Sequence, residues 1–324
     1  MGHPMVTPGG DDPGTAFRSA VLAGLLDLPL PGGGRTRDRF LRFVELGRAD
    51  LPLARLGEGH ADALAILAEL GMTIDPDRRR EPWGVWAAVP ASVTATRDGD
   101  RWRLTGDRPW CSGAGLLARA LVTATADDGI RLFAVEVDAA GVTALPDTWP
   151  AVGMAASDSR TVSFDGVTAV AVGGPGSYTA RPGFWHGGLG VAACWYGGAV
   201  GVADTLYSAA RHRRLGPHAL AHLGAVDAAL TAARSVLFAA ADEIDANPTG
   251  DADRLAHQVR ATVEAAATTV VDRVGRALGA GPLCQDAHHA RRVADLTVYL
   301  RQSHAEADLA HLGELVAAVG DPGW

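Results

Sequence analysis

The sequence predicts an α+β protein in three parts: N-terminal helices, a middle antiparallel β-barrel or sandwich, and a C-terminal four-helix bundle. Three observations predict it. Apolar residues recur at spacings of three and four up to about residue 72, the mark of helices with one buried face. From about residue 83 to 172 they alternate, with Gly- and Asp-rich turn words between the runs. From about residue 184 to 319 helical spacing returns in long Ala-rich runs, four of which suffice for a bundle. The corresponding segments are a disordered tail over 1–14, a shortened helical domain over 15–80, a β-domain over 81–180 and the bundle over 181–324.

In chain order, "AFRSAVLAGLLDL", "RDRFLRFVELGRA" and "EGHADALAILAEL" read as helices, divided by "LPLPGGG" and "DLPLARLG". "GMTIDPDRRREP" reads as a loop. The next region holds six or seven strands. "RDGD" at 97–100 marks a hairpin, "ADDG" at 126–129 separates two β-rich runs, and the "DG" inside "SRTVSFDGVTAVAV" separates two short strands. The bundle helices lie in "GGLGVAACWYGGAVGVADTLYSAARHRR", "ALAHLGAVDAALTAARSVLFAAADEIDA", "DADRLAHQVRATVEAAATTVVDRVGRALG" and "HARRVADLTVYLRQ". "RLGPH", "ANPTGD" and "LGAGPL" break them. The apolar run at 187–207 is nearly long enough to cross a bilayer, but it is Gly-rich and lacks flanking anchors, so it reads as a buried core helix.

Bulk properties exclude some functions. The 324 residues are 48% hydrophobic and 20% charged, a globular balance, with a formal net charge of -8. That charge argues against nucleic acid, whose phosphates require a basic face. The chain contains no lysine, and its wealth of Ala, Gly and Arg reads as base-composition bias, so arginine clusters alone do not signal phosphate sites. Cys111, Cys194 and Cys284 are widely spaced and form no C-x-x-C pair, which fits a reduced cytoplasmic protein and no zinc site. The N-terminus lacks a basic segment followed by an apolar one, so no secretory signal is expected. No Walker, G-x-S-x-G or G-x-G-x-x-G word occurs. Adjacent His288 and His289 point apart on a helix and make a poor chelate, so no metal is expected. His60, in "EGH", reads as a cap or packing residue rather than one facing a ligand.

Four words give the chain a resemblance to the acyl-CoA dehydrogenase family. "LARLGEGHADALAILAELG" is similar to the family's last N-terminal helix. "GDRWRLTGDRPWCSGAGLLARALVTA" resembles its W-x-L-x-G-x-K-x-W/F-x-S-x-A strand, and "VGMAASDSRTVSFDGVTA" its G-M-R-x-S strand pair. "RALGAGPL" resembles the Gly-rich turn of its C-terminal domain. The resemblance covers roughly residues 40–315. It implies FAD as cofactor, a small-molecule substrate, and a homodimer or homotetramer, or a hetero-oligomer with a homologue. It assigns Trp110 to cover the flavin and Ser112 to bond near its N5. Their spacing of two puts them on one face of a strand. Arg211 and Arg213 fall where the family holds the FAD pyrophosphate, although the family's Phe there is Leu215. Gly279 and Gly281 would admit close backbone approach to the cofactor.

The family's catalytic glutamate is missing. Its two alternative positions fall on Ser303 and Val191, and the T-E-x-x-x-G-S-D substrate loop is replaced by the apolar "WGVWAAVPASVTAT". An ordinary fatty acyl-CoA dehydrogenase is therefore not expected. His304 is open to two readings, a base or proton donor near neutral pH or part of a solvated helix end. Glu306 is read either as a displaced carboxylate or, preferentially, as solvated surface. Three functions remain: a FAD-dependent oxidoreductase for a specialised substrate, a catalytically silent partner subunit, and a flavin monooxygenase of the same fold.

Overall fold

The computed structural model describes residues 12–88 and 92–319, so residues 1–11 of the expected tail lie outside the described residues. Asp12 already belongs to the fold. It caps α1 (Pro13–Leu22), its side chain accepting from the amides of Gly14 and Thr15. The chain forms two compact units. Described residues 12–28, 55–151 and 155–184 make the first, and 29–54, 152–154 and the remainder from Trp185 onward make the second. The helical region 15–80 is thus divided between the two units.

The division follows α2 (Thr36–Ala49) and α3 (Leu51–Glu69), which a single residue separates. The expected break at "DLPLARLG" is helical instead. Asp50 ends α2 and accepts from the Leu53 amide at 2.9 Å, while Pro52 sits in the first turn, where no helical N–H is required of it. Beyond α3, the expected loop contains one short turn, α4 (Pro76–Arg79).

The first unit is built on seven strands: β1 (Trp83–Trp86), β2 (Thr94–Asp98), β3 (Arg101–Cys111), β4 (Arg119–Ala126), β5 (Gly129–Glu136), β6 (Val142–Ala144) and β7 (Arg160–Val172). The pairing β4–β2–β3–β7–β5 returns to β4 and closes a barrel, which leaves no free edge around that ring. The barrel is mixed rather than purely antiparallel, because β1 and β2 both pair parallel to β4. The "RDGD" and "ADDG" hairpins form as expected, with Gly99 and Gly129 at positive φ. The "DG" of β7 does not divide two strands. Leu104 and Gly106 of β3 face Val167 and Phe164, so one extra residue sits in β7 and a single 13-residue strand passes through a bulge at Gly166, φ 61°. Ala63, Leu64, Ile66 and Leu67 of α3 pack on Trp83, Leu121, Leu132 and Val172. Arg108 is fully buried, donating to the carbonyls of Ala88 and Thr123.

After α5 (Ser177–Ala180), the second unit is dominated by α6 (Gly183–His212), α7 (Pro217–Ala246), α8 (Asp253–Leu278), α9 (Gly281–Gln285) and α10 (Ala287–Tyr299). The four long helices match the expected bundle. A fifth, α11 (Glu306–Val319), extends it, and none of its described residues is buried. By length and composition α6 and α7 could each cross a membrane. The apolar window of α6 is 78% buried, as a core helix requires; that of α7 is only 33% buried.

The glycines of α6 have a packing cause. A Cβ on Gly197 would stand 2.3 Å from the Val44 carbonyl oxygen, and one on Gly47 would stand 2.4 Å from that of Cys194. The backbones of α2 and α6 therefore touch, a contact that "WYGG" allows and any larger residue forbids. Gly197→Ala is expected to lower stability by ~1–3 kcal/mol through overpacking. Gly224→Ala, with open space at its Cβ on α7, should hold or gain stability. Thermal melts of the two variants check this pair.

Candidate active site

Two clusters of unusual chemistry stand out, one in each unit. In the first unit the deciding feature is the end of β3. Arg108 and Cys111 face Val162 and Arg160, so three steps on β3 match two on β7, and one residue is extra. Up to Arg108 the even-numbered side chains Trp102, Leu104 and Arg108 are buried; past the bulge Cys111 is buried and Trp110 is 57% exposed. Trp110 holds φ 59°, a left-handed conformation that is costly for a bulky residue. The simple alternation that put Trp110 and Ser112 on one strand face is thus broken: the strand ends at Cys111 and the bulge resets its parity. The result is an indole held out into solvent next to a half-buried serine.

Ser112 is fixed from several sides. Its carbonyl accepts from the Trp86 indole at 3.0 Å, and its hydroxyl pairs with Ser159 at 3.0 Å. Ser159 in turn pairs with Ser157 at 2.8 Å, giving a short chain of hydroxyls. Asp158 between them holds φ 46°, its carboxylate accepting from Gly115 N at 2.7 Å and Arg160 Nε at 2.6 Å. Non-glycine residues at positive φ cluster where function maintains them against their conformational cost. Ser112 opens on a shallow crevice shared with Arg55, Gly59, Trp83, Gly84 and Val85. Its enclosed space is only about 10 Å³, far below the ~300–1,000 Å³ of enclosing ligand pockets, so a planar ligand would lie across its mouth.

Behind the crevice, His60 is buried on α3, its Nδ1 accepting from the Trp83 amide at 3.2 Å. That bond places the ring proton of the neutral form on Nε2. The edge of its ring meets Phe17, centroids 6.2 Å apart. The packing role read from the sequence therefore holds, and the partner is the first strand of the barrel. Two residues earlier on α3, burial pushes the Glu58 carboxyl up to about 8, and Asp62 adds to the effect; Arg55 Nη1, 2.5 Å away, pulls in the opposite direction but does not win. The raised carboxyl was not legible in "EGH", because desolvation depends on what packs over α3.

In the second unit, Ser303 stands where the family glutamate was sought, and a glutamate reaches it from elsewhere. Glu264, on α8, accepts from the Ser303 hydroxyl at 2.6 Å through one oxygen and from Arg301 at 2.6 Å through the other. Arg260, one turn earlier, donates to the carbonyls of Gly188 and Gln302 and lies over the Trp195 ring at 4.7 Å. Buried Tyr299 meets the same indole edge-on. His304 is 74% exposed, its Nδ1 3.1 Å from Asp308, whose carboxylate also accepts the His304 amide at 3.0 Å. Glu306 is exposed and opens α11. Sequence matching missed Glu264 because it lies 39 residues before Ser303 and only the packing of α8 brings it in.

The remaining predicted residues lie on the second unit's surface. Arg211 and Arg213 are exposed at and just beyond the end of α6 and form no ion pair among the described residues. Gly279 caps α8 at φ 70°, and Gly281 opens α9; a Cβ on either would meet nothing within 4 Å.

The profile of the acyl-CoA dehydrogenase middle domain matches residues 83–167, the barrel strands together with the Trp110 bulge. The fold is acyl-CoA dehydrogenase-like. Its fold is similar to that of a dibenzothiophene monooxygenase, TdsC, from Paenibacillus sp. A11-2, at 22% identity and a TM-score of 0.76 over 95% of this chain and 89% of that one. It is similar to a methanesulfinate monooxygenase, MsuC, from Pseudomonas fluorescens, at 19% identity and 0.78 over 97% and 91%. It is similar also to KijD3, solved with FMN and dTDP-3-amino-2,3,6-trideoxy-4-keto-3-methyl-D-glucose, at 22% identity and 0.77 over 96% and 88%. No curated protein matches this sequence.

The Glu58 environment sets a pH dependence. A carboxyl whose folded pKa exceeds its ordinary value of 4.5 contributes stability that is complete below that value and is lost as pH rises through about 8. The melting temperature should therefore fall from pH 6.5 to 9, and Glu58→Gln should fall less over the same interval. Thermal denaturation across that range checks it, and equal slopes would contradict it.

Proposed function

We propose that this chain is a flavin-dependent oxidoreductase for a specialised small-molecule substrate other than a fatty acyl-CoA, and that it works as a monooxygenase with reduced flavin and oxygen. The observation that carries this is the donor set at the β3 crevice. It offers a hydroxyl and main-chain groups, none of its lining residues is a carboxylate, and two residues before Ser112 stands the exposed Trp110 indole. Abstraction of a proton beside a thioester needs a free carboxylate base. The one glutamate brought to the expected corner has both oxygens engaged by Arg301 and Ser303. The monooxygenase activities of the structurally similar TdsC and MsuC support the same choice.

The residues fit a flavin. An indole at positive φ, exposed beside a half-buried serine, suits a planar ring lying over the crevice. Reduced flavin would supply the two electrons for oxygen activation. Trp110 would cover the ring, and Ser112, held by Ser159, would offer its hydroxyl at the ring's edge. Arg211 and Arg213, exposed on the second unit, would be the candidates to take a phosphate. Gly279 and Gly281 would matter only for the longer FAD expected from the sequence, and the FMN of KijD3 makes the shorter cofactor the competing choice. His304 is the candidate proton donor of the second unit: Asp308 accepts from Nδ1–H and leaves Nε2 to exchange a proton. Glu306, exposed at the helix start, ranks below it. The largely uncovered apolar helix α7 supports association with a second copy.

Rapid mixing of the protein with chemically reduced FMN or FAD and oxygenated buffer tests this. Reduced-flavin oxidation should differ at least several-fold from that of free flavin, and Ser112→Ala should return it toward the free value. An unchanged oxidation rate with both flavins would reject the oxygen-dependent reading. Reduction of an acceptor dye by acyl thioesters would replace it with dehydrogenation.

A further inference from the structure

The polar face of α8 carries more than Glu264 and Arg260. Residues 253, 257, 260 and 264 recur at helical spacing, and the first two meet α11. Asp253 Oδ2 lies 2.9 Å from His311 Nε2, and Asp253 Oδ1 lies 2.8 Å from His257 Nδ1. One ligand atom from each of the three residues falls within 4.8 Å of the others, and the two imidazole centroids are 4.8 Å apart. Burial is graded across the group: the side chains of His257, Asp253 and His311 are 8%, 17% and 41% exposed.

One atom in this group lacks what its burial demands. Asp253 Oδ1 is buried and accepts no hydrogen bond, although an imidazole nitrogen stands 2.8 Å away. The His257 Nδ1 proton is directed instead to the Asp253 carbonyl, 3.0 Å away. A buried carboxylate oxygen without a donor is unfavourable unless something positive satisfies it. A cation at this point would do so.

We propose that Asp253, His257 and His311 form a binding site for a divalent transition-metal ion of the zinc type, fastening α11 to the first turn of α8. Two imidazoles and one carboxylate make a donor set of the nitrogen–oxygen kind that zinc accepts, whereas magnesium and calcium prefer oxygen alone. Zinc–ligand bonds of ~2.0–2.2 Å in a tetrahedron put ligand atoms about 3.4 Å apart. The two short separations need to open by about half an ångström, and the separation between the two ring nitrogens, up to 4.8 Å, to close by about 1.4 Å, so the carboxylate withdraws and the exposed His311 ring moves inward on binding. The ion replaces the protons at the two ring nitrogens facing Asp253; His257 then carries its remaining proton on Nε2. The exposed side, at His311, provides the entry path and room for water as a fourth ligand.

The site has a mechanical consequence. α11 buries none of its residues, so its attachment rests on a few side chains, and His311 is one of them. The helix also carries Asp308, which orients His304. A bound ion would therefore steady the segment that presents His304. This inference is independent of flavin chemistry.

The test uses the full-length, tag-free chain, stripped with a chelator, exposed to zinc chloride and desalted. Elemental analysis should find one zinc per chain, and hydrogen exchange in 306–319 should slow when zinc is present. His311→Ala, at a partly exposed position where folding is not at stake, and Asp253→Asn should each weaken zinc binding at least ten-fold and lose the slowing in α11. No retained zinc in the wild-type protein would overturn the proposal. Equal retention by both variants would overturn it too, assigning the ion to other histidines. Magnesium bound as tightly as zinc would also overturn the nitrogen-ligand assignment.

Discussion

The one extra residue in β3 before Cys111 is the constraint on which the candidate site depends. A strand that kept its alternation would direct Trp110 into the barrel, in phase with Trp102, Leu104 and Arg108. The bulge turns it out, puts Cys111 in its place in the core, and delivers Ser112 to the hydroxyls of Ser159 and Ser157. The conformational cost at Trp110 is borne by a well-formed strand pair on one side and the Ser112–Gly113 anchor on the other, where Gly113 N donates to the Ser157 carbonyl at 2.8 Å. Barrel closure makes such local strain tolerable, because each strand of the ring is held on both sides.

The second unit uses a different device for the same end. Its helices are fixed by backbone contact at Gly47 and Gly197 and by charged side chains that bond main-chain carbonyls. Arg260 and Arg292 both work this way, reaching the carbonyls of Gly188 and Gln302 and of Gly201 and Arg48. These two arginines are structural: they bond main-chain carbonyls. The corner at Ser303 is similarly rigid, with Glu264 neutralised by Arg301. A carboxylate so engaged is a brace and not a base.

The order of helices, barrel and bundle was legible because it is written in periodicity, and the hairpins at "RDGD" and "ADDG" because turn chemistry is local. What escaped was non-local. Residues 165–166 look like a turn, yet a β-bulge uses the same Asp-Gly pair inside one strand. Asp50 looks like part of a loop, yet it caps a helix that starts one residue later. Glu264 and Asp253 look like ordinary surface acids of an amphipathic helix, and only the folding back of residues 301–311 gives them partners. The words around Trp110 and Ser112 located a candidate site; the direction in which Trp110 points needed the register.

The most direct test of this account is a titration of oxidised and reduced FMN and FAD against wild-type protein and Trp110→Ala. Wild type should quench flavin fluorescence, or shift the reduced-flavin spectrum, to saturation with at least one of the four species, and Trp110→Ala should bind that species at least ten-fold more weakly. Absence of saturable binding in every case would contradict the claim that the β3 bulge faces a flavin.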